Sequence, residues 1–287
     1  MVSPGIWTLG KALIMLDRRD VLAGLASAAV MSSWFASSAN GAETPGYNWQ
    51  EDFSRLPGVT LMGDEDIAML LYPGFTALDL IGPYHFFAGM MGARIHLVTN
   101  QADLSPVASD MGLAVQPTVR LADCPRDLTI LFAPGGTDGT IAAARDPDTI
   151  SFVRDRASRA MFVTSVCTGA LILGAAGLLK GKRATTHWSV RPLLGRFGAT
   201  PVDARVVRDG NLVTGAGVSA GLDFGLSIVA QLRGQPYAAA SMLTAEYHPE
   251  PPFEGGTLST TPANVAKPMT ALFEGFVEAT KTLGVAQ

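Results

Sequence analysis

One cysteine stands where a nucleophile would be useful. Cys167 lies in Ser165-Val166-Cys167-Thr168-Gly169, directly after the apolar run that begins at Met161, with small residues two positions before and two after it. A strand that turns sharply into a helix needs such small flanks so that the two can approach, and it presents the middle side chain at the carboxyl edge of a sheet. At the start of a helix the sulfur is expected to meet partial positive charge and free N–H groups, which favour thiolate over thiol. Cysteine is also among the most buried residue types. Position favours the functional reading, because the carboxyl edge of a doubly wound sheet is where ligands bind.

A thiolate needs a proton partner and a place for developing charge. Asp79, in Pro73-Gly74-Phe75-Thr76-Ala77-Leu78-Asp79, falls just beyond the first apolar run and enters the helix that follows it. An acid in a first helical turn is often only a partner for the helix dipole. Here the neighbours Phe75, Ala77, Leu78, Leu80 and Ile81 are apolar, and a carboxyl in such company has a raised pKa and can move a proton near neutral pH. Gly135 and Gly136 end another run at the same edge; their N–H groups read equally as anion donors or as a strand-end turn. His187, in Ala184-Thr185-Thr186-His187-Trp188, reads as either a hydrogen-bonding structural residue or a catalytic one. Cys124 precedes its strand and so belongs near the amino edge, a strand length from Cys167, too far for a disulfide. It is expected to be structural.

These placements rest on the elements around them. From Asp66 onward, short apolar runs alternate with longer helical patterns, the pattern of a doubly wound, mostly parallel α/β sheet with helices on both faces. Strands are expected over 67–72, 95–99, 128–133 and 161–166, with a hairpin over 204–214 turning at Asp209-Gly210-Asn211. Helices are expected over 78–90, despite Pro83, and over 146–160, from 168 to about 179, and over 218–232, 237–247 and 268–283. Residues 100–127 read as a hairpin or loop excursion, and 250–266 as a wrapping tail.

Composition bounds the function. The chain has 287 residues, 48% of them hydrophobic, a net charge of −4, two cysteines and four histidines. Two cysteines exclude a four-cysteine zinc site, and the histidines lack paired-ligand spacing, so no metal is expected. Without a Lys/Arg cluster, nucleic acid is not an expected partner. A small molecule is.

The first residues read as an address. Arg18-Arg19 precede a mildly apolar Ala/Gly/Ser-rich stretch and a small-residue zone ending near Ala42, a twin-arginine-type signal over 1–42. The stretch is too short for a stable membrane span, which takes about 20 strongly apolar residues. Export to the periplasm in the folded state is expected, or a cytoplasmic protein if the leader is not used. Residues 43–64 read as a linker and 65–287 as one domain.

The elbow at Cys167, the acid after the first strand and the Pro134-Gly135-Gly136 turn resemble the DJ-1/PfpI superfamily, whose domains are flavodoxin-like and akin to class I glutamine amidotransferases. Within it, the segments Leu71 to Pro83, Thr164 to Leu171, Arg183 to Trp188 and Glu246 to Phe253 resemble the isonitrile hydratase subfamily. The resemblance spans about residues 66–255 and accounts for Pro83, a family feature of the first helix. His85 stands where relatives often carry an acid.

The resemblance implies Cys167 as nucleophile, Asp79 as acid/base and Thr168 as the hydroxyl beside the nucleophile, with no organic cofactor and a homodimeric assembly. The implied reaction adds water to R–N≡C and gives the N-substituted formamide. A linear, neutral substrate calls for a narrow, largely apolar pocket, with Phe75 and Trp188 as walls. Two other readings accompany it: glyoxalase-like hydration of 2-oxoaldehydes on the same cysteine, and a non-enzymatic ligand-binding or redox-sensing module. Thr168 in place of the histidine of the superfamily's peptidase-like members argues against a protease.

Overall fold

The computed structural model describes residues 48–285, so the expected leader and the start of the expected linker lie outside the described residues. The chain divides into two compact units, Met1–Glu51 and Asp52–Gln287. Of the first, residues 48–51 are described and open the short helix α1 (Trp49–Ser54). The second carries the sheet and every other described helix.

Apolar runs without polar interruption become strands buried on both faces. β1 (Asp66–Leu71) and β2 (Arg94–Thr99) are followed by three two-residue strands, β3 (Val107–Ala108), β4 (Ala114–Val115) and β5 (Val119–Arg120). Next come β6 (Ile130–Ala133), β7 (Phe162–Val166), β8 (Arg183–Ala184), β9 (Thr200–Pro201), β10 (Val206–Asp209) and β11 (Leu212–Gly215). Seven of these form one sheet in the order β10-β11-β7-β6-β1-β2-β5. Every pairing in it is parallel except the β10/β11 hairpin. Strand order reverses between β1 and β6, which sets a crevice at their carboxyl ends, the place where such sheets bind ligands. Ala133 pairs with Ser165, and Val166 with Gly215, so β6, β7 and β11 end side by side there.

The helices fall into two packed groups, as a sheet covered on both faces requires. In one, α2 (Ala77–Ala88) packs on α6 (Ala220–Arg233), which packs on α7 (Gln235–Thr244). In the other, α3 (Asp138–Arg145) contacts both α4 (Pro147–Ala157) and α5 (Ala170–Ala175). α9 (Glu274–Lys281), preceded by α8 (Ala263–Leu272), rests on α3. Pro83 does sit inside α2. The helices α2 and α6 approach closely there: a Cβ on Gly225 would stand 3.2 Å from the Phe86 ring and 3.3 Å from Pro83 Cα, a tight contact that its neighbours would have to give way to.

Several boundaries differ from the sequence reading for physical reasons. β5 is too short to show alternation, yet it joins the sheet beside β2. α3, missed altogether, has eight residues and one large apolar side chain, Ile141, among small ones. The last helix begins earlier than Pro268, which lies inside α8, and Phe273 divides it from α9. From Phe53 onward the expected linker packs on the domain, with the Phe53 ring 5.9 Å from that of Tyr237 and Thr60 N–H donating to Arg233 O at 3.0 Å, and its anchor is Arg233.

Arg233 is fully buried. Its Nε and Nη2 donate to Glu65 Oε1 and Oε2 at 2.7 and 2.5 Å. Nη1 donates to Leu61 O at 3.0 Å, and Nη2 also to Met91 O at 2.9 Å. One cation thereby ties the entry to β1, the α2–β2 turn and the end of α6 together. Arg233→Ala is expected to cost about 3–5 kcal/mol, because it leaves the Glu65 carboxylate buried and unpaired. Urea unfolding measures this; an unchanged midpoint would count against the anchor.

Candidate active site

Three strand ends converge at the carboxyl edge, and each delivers part of the site. After β7, Cys167 opens a single 3-10 turn, Cys167–Gly169, with φ of 55°. A non-glycine residue in this left-handed region is strained, and such strain gathers at functional sites. The turn forms because its neighbours are small: a Cβ on Gly169 would stand 2.2 Å from Ala133 O. The backbone is pinned from both sides, Cys167 N–H donating to Ala216 O at 2.8 Å and Thr186 Oγ1 donating to Cys167 O at 2.5 Å.

Asp79, in the first turn of α2, is fully buried. Its Oδ2 accepts the Gly135 N–H at 3.1 Å, and its Oδ1 has no well-formed hydrogen bond. Burial pushes its pKa up to about 7, while the adjacent Cys167 thiol and the Gly135 N–H pull it down. Burial also pushes the Cys167 thiol well above its ordinary value, and the Asp79 carboxylate pushes the same way. This corrects the expectation of a thiolate favoured by a helix start. The helix α5 has only six residues, and desolvation outweighs the opposing pull of the Thr168 and Val218 N–H groups on the sulfur. The two groups instead form a buried pair in which a charge on one raises the other.

Thr168 braces this pair. Its hydroxyl donates to Gly136 O at 2.5 Å and accepts from Gly136 N–H at 2.9 Å. Behind it, Thr140 Oγ1 lies 3.2 Å away and itself meets the Tyr72 hydroxyl at 3.0 Å, which donates to Pro134 O at 2.6 Å. Gly135 and Gly136 therefore do not offer free anion donors. Their N–H groups are taken by Asp79 and Thr168, and they act as the clamp that positions both. A Cβ on Gly135 would stand 2.7 Å from Asp79 Oδ2 and 2.6 Å from Thr168 N.

Phe75 is fully buried, as Asp79 is, and its N–H and C=O join the same turn region through Tyr72 and Asp110. His187 and Trp188 line a cavity of about 680 Å³, together with Arg191, Asp203, Arg205, the 216–220 segment and residues 256–259 of the tail. Two of its walls, 187–188 and 216–218, adjoin the residues that hold the Cys167 backbone. It is not the largely apolar slot expected, because charged side chains from the Ala204 region and the turn after His187 face it. The His187 ring, 5.3 Å from Trp188 and 5.2 Å from Phe273, bonds Ser189 Oγ through Nδ1 at 2.8 Å. Burial, then the charge of Arg191, lowers its pKa to about 4, so it is neutral at physiological pH. His85 is exposed on α2, away from this pocket.

Val218, expected only as the start of a helix, turns its N–H to the sulfur. The signal was there in Gly215-Ala216-Gly217, a small-residue strand end beside the elbow strand. Phe273 carried no local signal, because only folding back of the C-terminal helices brings it to His187. Cys124 is buried as expected, with burial raising its thiol to about 11; both cysteines are free thiols. Among the described residues no His/Cys/Asp/Glu group has the spacing to hold a metal, and no helix is long and apolar enough to cross a membrane.

The DJ-1/PfpI family profile matches residues 65–231. Over 199 residues the chain is 48% identical to the isonitrile hydratase of Pseudomonas putida, covering 69% of this chain and 86% of that protein. The crystal structure of a THiJ/PfpI family protein from Pseudomonas syringae is similar with a TM-score of 0.79 and 53% identity, covering 85% of this chain and 98% of that one. Drosophila melanogaster DJ-1beta shares the fold at a TM-score of 0.59 and 21% identity, over 65% of this chain and 100% of its own.

Proposed function

The chain belongs to the DJ-1/PfpI family, and from that premise we propose that it is an isonitrile hydratase-like hydro-lyase, adding water to R–N≡C to give R–NH–CHO. The observation that carries the reading is the buried pairing of the Cys167 thiol with the Asp79 carboxyl at a strained elbow, in a chain that has an isonitrile hydratase among its relatives.

The pair suits this chemistry. The terminal carbon of an isonitrile accepts a nucleophile and must also gain a proton. With one negative charge between them, Asp79 takes the thiol proton as sulfur attacks and delivers it to that carbon, giving R–N=CH–S–Cys167. Water then adds across the C=N bond, the nitrogen is protonated, and the C–S bond breaks as the thiol regains its proton. The sum is R–N≡C plus water to the formamide, without oxidation or reduction. A carboxyl with a pKa near 7 exchanges protons in both directions at neutral pH, the condition for efficient general acid–base catalysis. The Thr168 and Val218 N–H groups that face the sulfur would stabilise charge developing there.

The active form is the singly ionised pair. Protonating Asp79 removes the base, so kcat/KM is expected to rise with pH to an inflection near 7, the value to which burial raises Asp79. It then stays level until the second proton leaves, well above the ordinary thiol range. The test is formation of formamides from a panel of alkyl isonitriles, followed by pH profiles. No formamide from any of them, with lactate forming readily from methylglyoxal, would transfer the assignment to the glyoxalase-like reading.

A further inference from the structure

The cavity beside the elbow carries more charge than a neutral, linear substrate calls for. Arg191 lies one turn beyond His187, its N–H donating to His187 O at 3.1 Å. Its side chain is 21% exposed, and its ion-pair partner among the described residues is Asp203, Nη2 to Oδ2 at 2.8 Å, whose own side chain is 82% exposed. A mostly buried guanidinium is thus paired with a carboxylate that stands in water. Such a partner is weakly held and readily displaced, and an arginine can take a carboxylate through two parallel N–H donors. Across the cavity, Arg205 is fixed by Asp223, which also accepts from the Tyr247 hydroxyl. Each arginine of the lining thus has a carboxylate partner, but that of Arg205 is part-buried whereas that of Arg191 stands in water, and His187 is neutral.

We infer, resting on the isonitrile reading, that the substrate of this site bears a carboxylate on its R group, held by Arg191 with Asp203 displaced into solvent. The carboxylate lies beside Arg191, and the isonitrile group points past the Gly217–Val218 wall towards Cys167, whose sulfur faces the Val218 N–H. Binding energy from the remote carboxylate then holds the reacting carbon in line with the sulfur.

The test compares two isonitriles of equal length, an ω-isocyanoalkanoate and its methyl ester, on the full-length protein at low ionic strength. The acid is expected to be preferred at least about tenfold in kcat/KM, chiefly through KM. Arg191→Gln is expected to bring the acid/ester ratio close to one, and Arg191→Lys to restore part of it. Equal efficiency for acid and ester in the wild type, or a preference that survives Arg191→Gln, overturns the inference. If neither compound nor any other isonitrile is hydrated, the isonitrile reading fails by itself. Calorimetric binding of an N-formylaminoalkanoate and its methyl ester to the Cys167→Ala protein then decides the carboxylate site alone. An Arg191-dependent preference for the acid upholds it, and equal binding or none overturns it.

Discussion

Asp79→Asn is expected to lower isonitrile turnover by at least about 10³-fold and, in the same protein, to raise stability at pH 8. The loss of activity follows from removing a general acid–base group, an effect typically of 10²–10⁴-fold, whose carboxyl lies beside the thiol. The gain in stability follows from linkage. Burial raises the Asp79 pKa from 3.8 to about 7, so the folded protein binds a proton that the unfolded chain releases more readily. Stability from this group is fully present below about pH 4 and is lost as pH rises through 7. Asparagine carries no charge to desolvate, and it keeps an oxygen for the Gly135 N–H. The variant should therefore exceed the wild type by about 1–3 kcal/mol at pH 8, with the difference shrinking towards zero at pH 4. Urea unfolding at the two pH values measures it. A difference independent of pH would show that the carboxyl does not titrate as a buried group, and the proposed proton transfer would lose its basis.

Cys167→Ala is expected to abolish formamide production, with kcat falling by at least about 10⁴-fold, while the protein stays folded. Nucleophile removal in covalent catalysis has effects of this size or larger. The fold should tolerate the change because the elbow is held by backbone bonds, from Cys167 N–H to Ala216 O and from Thr186 to Cys167 O, none of which uses the sulfur. Cys167→Ser is informative beside it: a hydroxyl loses its proton far less readily than a thiol, and a carboxyl titrating near 7 is too weak a base to draw it off. Cys124→Ala serves as the control and should retain turnover, since that thiol lies in a separate buried setting beside Arg156. Normal turnover by Cys167→Ala, or loss in Cys124→Ala with an intact fold, would sink the assignment of the nucleophile.

Legibility followed the range of the interactions involved. The strand and elbow around Cys167 could be read because their causes are local: continuous apolar residues for a strand covered on both faces, and small residues where strand and helix must approach. Asp79 could be placed for a similar reason, through its apolar neighbours and its position just after β1. α3 was missed and the start of α8 misplaced where a short run of small residues or an internal proline left the local pattern ambiguous.

The sequence by itself determined the alternation of strands and helices, the order in which they occur, and the carboxyl edge on which Cys167, Asp79 and the two glycines lie. These depend on side-chain size and polarity over a few residues, which the chain writes out directly. Only the tertiary structure decided what those groups do to one another. Burial overcame the expected helix-start effect and left Cys167 with a raised pKa against an equally buried Asp79. The Gly135 and Gly136 N–H groups were drawn into holding Asp79 and Thr168, and Arg191 was brought to the cavity with a partner standing in water. Desolvation, hydrogen-bond occupancy and pocket charge are sums over residues distant in sequence, and they acquire values only when the sheet brings those residues together.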